Sequence, residues 1–356
     1  MLTNEQIEDN LSWLLENGSP AVRYLTHVHL LSTPSKELAS LWHEVEASPE
    51  AQAILATQQP DGSWFSANPW AGKPSYVPAA GYSPFTPKYV TAVWVLSVLG
   101  DMGFTVQDSR IRKATDYILE HQWPSGQFSR FNVKRVGDVP QADRRADWPD
   151  DWPADNAPCE LGVYLTALGK VGMGADVRLT RSYDLLRRWQ REDGGWILQM
   201  HKEERDWWRS CPASSHGAVM ALYHSGRPEC REALCRGLEF LVWHLSQKPE
   251  AEIRSFVYHG HNMVRELVVL SELGVGLAQP PVQALLDWLA GMVRPDQAHF
   301  AYDGHKPSSS SPGWQRYGLY HLVEDDWLTY YATRIAVNLR NARQTLAPGG
   351  SVSTRR

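Results

Sequence analysis

The chain has 356 residues, 43% of them hydrophobic, and a net charge of −5. That mild negative balance carries no electrostatic footprint for nucleic acid or an anionic membrane surface. Four cysteines, Cys159, Cys211, Cys230 and Cys235, lack the spacing of a disulfide scaffold. The opening residues Met1 to Asn10 are polar and acidic, unlike a secretory signal, and no apolar run reaches membrane-spanning length. These features predict a soluble chain in a reducing, cytoplasmic setting.

The elements read as helices throughout. Leu2 to Glu16 has an apolar side of Ile7, Leu11, Trp13, Leu14 and Leu15. Gly18-Ser19-Pro20 ends it and starts a first inner helix over Ala21 to Leu31, with Ser19 as N-cap and Pro20 at the first helical position. One helix is expected from about Lys36 to Thr57. The segment Phe65 to Pro87 is a long loop rich in Pro, Gly and aromatics, which suggests a lid. Pro87-Lys88 then opens an inner helix whose apolar run, Val90 to Gly100, reads as buried on all sides. Ile111 to Gln122 is its outer partner.

A second long loop, Ser129 to Pro158, is dense in Asp, Trp and Pro and reads equally as a solvated insertion or a cavity lid. Further inner helices open at Pro158-Cys159, Cys211-Pro212 and His259-Gly-His261. Outer helices fall near Arg181–Gln190, Glu229–Leu245 and Val282–Val293. The last inner helix begins at Asp325-Asp326, and 347–356 is a Gly/Ser-rich tail expected to be disordered, leaving 1–346 as one domain.

Three corners share a pattern. Gln58-Gln-Pro-Asp-Gly-Ser-Trp64, Gln122-Trp-Pro-Ser-Gly-Gln-Phe128 and Gln190-Arg-Glu-Asp-Gly-Gly-Trp196 each place Gln, then Gly four residues on, then an aromatic two further. Each follows an apolar helical segment, and the glycines stand 64 and 68 residues apart. The Gly suits a left-handed turn at a helix end, the aromatic can pack back on that helix, and the Gln can bridge the turn to a neighbouring repeat. Degenerate versions occur at Ser246-Gln247 and at Gln297-Ala-His-Phe300, where Gly is replaced.

The pattern resembles the QW repeat of the squalene cyclase and protein prenyltransferase superfamily, from roughly Pro20 to Arg340. The resemblance implies an all-α fold: a single α/α toroid, a double ring of five to seven inner and outer helix pairs around a central cavity. It also implies that the inner helices run roughly parallel, with their N-termini at one mouth of that cavity. The residues at those starts are Lys88, Tyr89, Cys159, Glu160, Cys211, His259, His261, Asp325 and Asp326.

Cys159, Cys211 and His261 lie about one repeat apart, on three successive inner helices. They form a candidate three-ligand zinc set that leaves a fourth position for water or substrate. The competing reading is buried core cysteine and a hydrogen-bonded histidine. The local Asp-x-Cys and Cys-His arrangements of the prenyltransferases and lanthionine cyclases are absent. Cys230 and Cys235 read as packing residues. His27 and His29 read as structural, though Arg23 and His27 share a helix face.

The Asp-x-Asp-Asp acid motif of class II terpene cyclases is absent too. Asp147-Trp-Pro-Asp-Asp151 has one residue too many and lies in a loop. Three functions follow. The first is an enzyme with zinc at the mouth and Asp326, Asp325, Glu160, Lys88 or Tyr89 as acid–base or substrate-contacting groups. The second is an isoprenoid cyclase or prenyl-transfer enzyme with Asp325 or Asp326 as a divergent acid. The third is a non-catalytic protein that binds an apolar ligand. The expected partner is a small-molecule substrate, apolar or isoprenoid, and not nucleic acid; oligomeric state is left open.

Overall fold

A helix start needs a cap or a proline, and this sequence supplies both repeatedly. In a computed structural model of the chain, residues 2–64, 92–128, 158–197, 210–247, 257–258, 261–294, 298–300 and 325–346 are described. For 159, 257–258, 261–262 and 343–346 the description covers the backbone alone. Of the expected features, the Phe65–Pro87 loop, the Ser129–Pro158 loop up to residue 157, the Lys88-Tyr89 start and the 347–356 tail lie outside the described residues.

The chain is all-α, with two short hairpins among the described residues. In order, the described elements are α1 (Asn4–Asn17), α2 (Pro20–His29), α3 (Ser35–Ala47), α4 (Pro49–Leu55), α5 (Ala92–Asp101), α6 (Ser109–Leu119) and α7 (Pro158–Leu168). They continue with α8 (Thr180–Arg188), α9 (Pro212–Ser225), α10 (Arg231–Ser246), β1 (Val257–Tyr258), β2 (His261–Asn262), α11 (Met263–Leu273) and α12 (Pro280–Ala290). The last are β3 (Val293–Arg294), β4 (His299–Phe300) and α13 (Asp325–Leu346). Among the described residues, no helix is long and apolar enough to cross a membrane.

The helices divide into two units by contact: residues 1–48, 242–308 and 320–356 form one, and 49–241 with 309–319 the other. In the first unit α2 packs on α3 and α1, and α13 packs on α1, α2 and α11. Thr3 starts α1 with a capping box: its hydroxyl accepts from Gln6 N, and the Gln6 side chain accepts from Thr3 N. Ile7 and Leu14 are its buried side, with Ala336 and Val337 of α13 against Ile7.

In the second unit α5, α7 and α9 form an inner row, with α6 outside α5 and α8 outside α7. Gly162 of α7 abuts Gly217 of α9, and seven residues later on both helices Gly169 abuts His224. The matched steps mean that α7 and α9 run parallel. The C-terminal ends of α5 and α7 also meet. The Lys170 ammonium, just past α7, lies 2.7 Å from Asp101 and 3.0 Å from the Ser97 hydroxyl, both on α5.

The corners hold the outer row together. Gly62, Gly126 and Gly194 have φ of 94°, 92° and 86°, a backbone region costly for any residue with a Cβ. Gln58 Nε2 donates to Gly62 O (3.1 Å) and to Arg110 O (2.9 Å). Gln190 Nε2 does the same to Gly194 O and Ala233 O, both at 2.8 Å. Gln122 Nε2 donates to Arg178 O and the Ser182 hydroxyl at 2.9 Å. The fully buried Trp64 and Trp196 indoles donate back to Ile54 O and Leu186 O on the helix just left, at 3.0 and 2.8 Å.

Three boundaries differ from those read in the sequence. The expected helix over 36–57 is two helices, because Pro49 lacks an N–H and disfavours helical backbone at Ser48, which is extended. The helix expected to open at His259-Gly-His261 begins at Met263, since His261 and Asn262 pair antiparallel with Tyr258 and Val257. At the degenerate corner Ala298 takes the left-handed role with φ 52°, and β3 pairs β4 around it.

Candidate functional site

The inner-helix starts are built by proline. Pro158 opens α7, so Cys159 is its second residue and Glu160 its third; Glu160 is half-buried. Pro212 is the first residue of α9, which makes Cys211 the N-cap. Cys211 is tied to the third corner through its backbone. Its N–H donates to Trp196 O at 2.7 Å, and its carbonyl accepts from the Ser215 N–H and hydroxyl, both at 2.9 Å. The same Ser215 oxygen accepts from Trp196 N at 2.9 Å. The thiol of Cys211 is free and half-buried.

The parallel register that sets Gly162 against Gly217 places Cys159 level with Ser214, and Cys211 about one turn further toward the helix starts. Ser214 is fully buried, and its hydroxyl has no hydrogen-bond partner among the described residues. Such a group is uncommon in a native interior. Nothing in the local pattern singles out this serine; it becomes visible only through the α7–α9 register.

In the other unit, Asp325 and Asp326 open α13. Asp326 Oδ2 accepts from Ser19 N at 2.9 Å and Oδ1 from Trp327 N at 2.8 Å, so its carboxylate fastens the start of α2 to the start of α13. Asp325 is exposed, and its Oδ2 lies 3.6 Å from His299 Nε2. His299 is buried on β4 and stacks on Trp13, with centroids 4.5 Å apart and rings within 12° of parallel. This histidine was read from the sequence only as part of a degenerate corner.

His29, which the sequence reads as structural, belongs to a second polar group in this unit. His29 at the end of α2 faces Tyr330 of α13, with ring centroids 6.5 Å apart. One turn on, Arg334 donates to Glu272 of α11 at 2.9 Å, and Asn338 donates to the Ser271 hydroxyl at 3.1 Å. Desolvation by its surroundings and the Arg334 charge push His29 down to about 4, so the imidazole is neutral at neutral pH. His27 bonds the Thr33 hydroxyl at 2.9 Å, and Arg23 pairs with Glu44. Cys230 is buried, as a packing residue should be, and burial raises its thiol above the usual range.

Lys88 and Tyr89 lie outside the described residues, as do the side chains of Cys159 and His261. Among the described residues, no group of three His, Cys, Asp or Glu side chains could hold a metal ion. Of the expected site residues, Glu160 and Cys211 with the Cys159 backbone fall on one unit. Asp325, Asp326 and the His261 backbone fall on the other.

No family model matches the chain, and no curated protein is significantly similar to it. Solved structures do match in outline. A protein from Actinoplanes is 17% identical with a TM-score of 0.42, over 95% of this chain and 99% of that one. The type II terpene cyclase MstE from Scytonema, without ligand, is 16% identical with a TM-score of 0.41, over 95% and 98%. A variant of MstE in complex with its substrate geranylgeranyl dihydroxybenzoate is 15% identical with a TM-score of 0.43, over 95% and 97%. Likeness at this level carries no argument about activity.

Proposed function

We propose that the chain is an enzyme of the α/α toroid type, acting on a small, largely apolar substrate at the starts of its inner helices. Cys159 and Cys211 would supply zinc ligands there, and His261 stays the third ligand that the sequence spacing suggests. The observation that supports this is the α7–α9 register: two adjacent parallel helices each begin with a cysteine, and a buried hydroxyl without a partner among the described residues, Ser214, sits at that level.

The donor chemistry fits zinc: two thiolates and an imidazole, with a fourth position left open. A zinc ion so bound would activate water or a thiol, or polarise a carbonyl. The chain's own residues do the remaining work. Glu160, one residue after Cys159, would relay a proton to or from that end of α7. Ser214 offers a hydroxyl that can turn its proton toward either a donor or an acceptor in the site. Asp326 is engaged at both oxygens, where it fastens the starts of α2 and α13. Lys88 and Tyr89 remain candidates for substrate contact.

Metal content by plasma mass spectrometry, on protein purified without a metal-affinity step, tests the reading. About one zinc per chain that is lost in Cys211→Ser supports it. No zinc in the parent, or zinc retained in the variant, overturns it.

A second reading is favoured by the Asp325–His299 pair. In this reading Asp325, held beside a buried imidazole, is the divergent acid of an isoprenoid cyclase or prenyl-transfer enzyme. Turnover of a polyprenyl substrate that needs no metal and stops in Asp325→Asn is its signature; turnover surviving that substitution rejects it.

A further inference from the structure

The outer face of α8 carries an arrangement that the helix-start reading does not use. Arg181, Asp184 and Arg188 recur at the i, i+3, i+7 spacing that places them on one helix face, with Arg187 at its edge. With Pro124 and Ser125 of the second corner they line an open groove of about 540 Å³, a volume that suits a small molecule. The three arginines are exposed on a chain whose net charge is −5.

Their pairing is incomplete. Arg187 Nη1 donates to Asp184 at 3.1 Å, which accounts for the one carboxylate in the groove. Arg181 Nη1 donates to Pro124 O at 2.7 Å and has no carboxylate partner among the described residues. Arg188 has neither a hydrogen bond nor an ion pair there. The positive end of the helix dipole disfavours a cation in the first turn, where Arg181 stands, whereas Arg187 and Arg188 suit the last turn. An anion above the groove would offset the first and engage the others.

We propose that this groove binds a small molecule carrying two or more phosphate groups. Arg181 and Arg188 are two turns apart, about 10 Å along the axis, and their long side chains can close from both ends on neighbouring phosphates. A guanidinium presents a planar fork of donors that matches phosphate oxygens two at a time. The Ser125 hydroxyl, which also lines the groove, donates to Gln127 Oε1 over a long 3.4 Å and can turn that proton toward a bound phosphate instead. The groove fixes its own shape: Gly126 of the corner rests directly on the Arg181 backbone, where an added Cβ would stand 2.7 Å from the carbonyl carbon.

Inorganic pyrophosphate, titrated calorimetrically into the full-length protein at low salt, is the probe. One saturable site per chain is expected, weakened about tenfold or more in Arg181→Gln/Arg188→Gln and weakened by added salt. Arg188→Gln alone, at a side chain without hydrogen bonds or ion pairs among the described residues, gives an intermediate loss and guards against misfolding of the double variant; melting temperature and circular dichroism are compared throughout. Absence of saturable binding, or equal affinity in the variants, overturns the proposal. Citrate or a glutamate-rich peptide binding as tightly as pyrophosphate also overturns it, by assigning the groove to carboxylates or to an acidic protein segment.

Discussion

Gly162 of α7 and Gly217 of α9 meet backbone to backbone: a Cβ on Gly162 would stand 2.5 Å from the Gly217 carbonyl carbon. No side chain can yield to relieve that contact, so the helices themselves must part. Gly162→Ala therefore destabilises the protein by about 1–3 kcal/mol or more, as overpacking does, and lowers the melting temperature. Gly172, with open space around it, is not a suitable control because its φ of 90° penalises alanine on its own. Gly291, where a Cβ meets only ordinary contacts at 3.4 Å, is a better one.

Gln190→Ala removes two hydrogen bonds from one amide and leaves the Gly194 and Ala233 carbonyls without that donor. A cost of about 1–3 kcal/mol in urea unfolding is expected. Gln59→Ala, one residue after the first corner's glutamine and exposed, removes a single 3.4 Å bond and should be close to neutral. Equal effects of the two substitutions would remove the corner glutamine from the structural account.

Lys170 and Asp101 form an ion pair that is nearly closed to solvent, with side-chain exposures of 4% and 10%. Lys170→Met withdraws the cation and leaves the carboxylate in the same enclosed place, at a cost of about 3–5 kcal/mol. Adding Asp101→Leu should recover most of the loss, because an apolar pair avoids the desolvation penalty altogether. A double variant as unstable as the single one would contradict this.

His29 makes stability depend on pH with a definite sign. Its native value, about 4, lies below its ordinary 6.5. Above pH 6.5 the imidazole is neutral in both states and costs nothing. As pH falls from there toward 4, the unfolded chain binds a proton that the native one does not, and stability declines. The ring keeps solvent contact, which screens part of this effect. Urea midpoints measured between neutral pH and pH 4 should fall less steeply in His29→Asn than in the parent.

The corners were legible because their chemistry is confined to seven residues. A glycine with positive φ, an amide and an indole each imply a partner close by in the chain. Pro158 and Pro212 likewise announced the helix starts that follow them. Pro49 gives a similar signal inside the expected 36–57 helix, and the break falls at it. Ser214, His299 and the His29–Arg334–Glu272 group were not legible, for a different reason. The partners of His299 and His29 come from segments far apart in the chain, and Ser214 is marked only by the α7–α9 register; inter-helix packing decides both.

Each corner glutamine fastens the end of one outer helix to the beginning of the next: α4 to α6 through Arg110, α6 to α8 through Arg178, and α8 to α10 through Ala233. The outer row is thus a chain of similar clasps. Its natural step of growth is a whole helix pair, because duplicating or deleting a full corner-to-corner segment keeps every clasp closed. An insertion or deletion of a few residues inside a clasp, by contrast, moves glutamine, glycine and aromatic out of register at once.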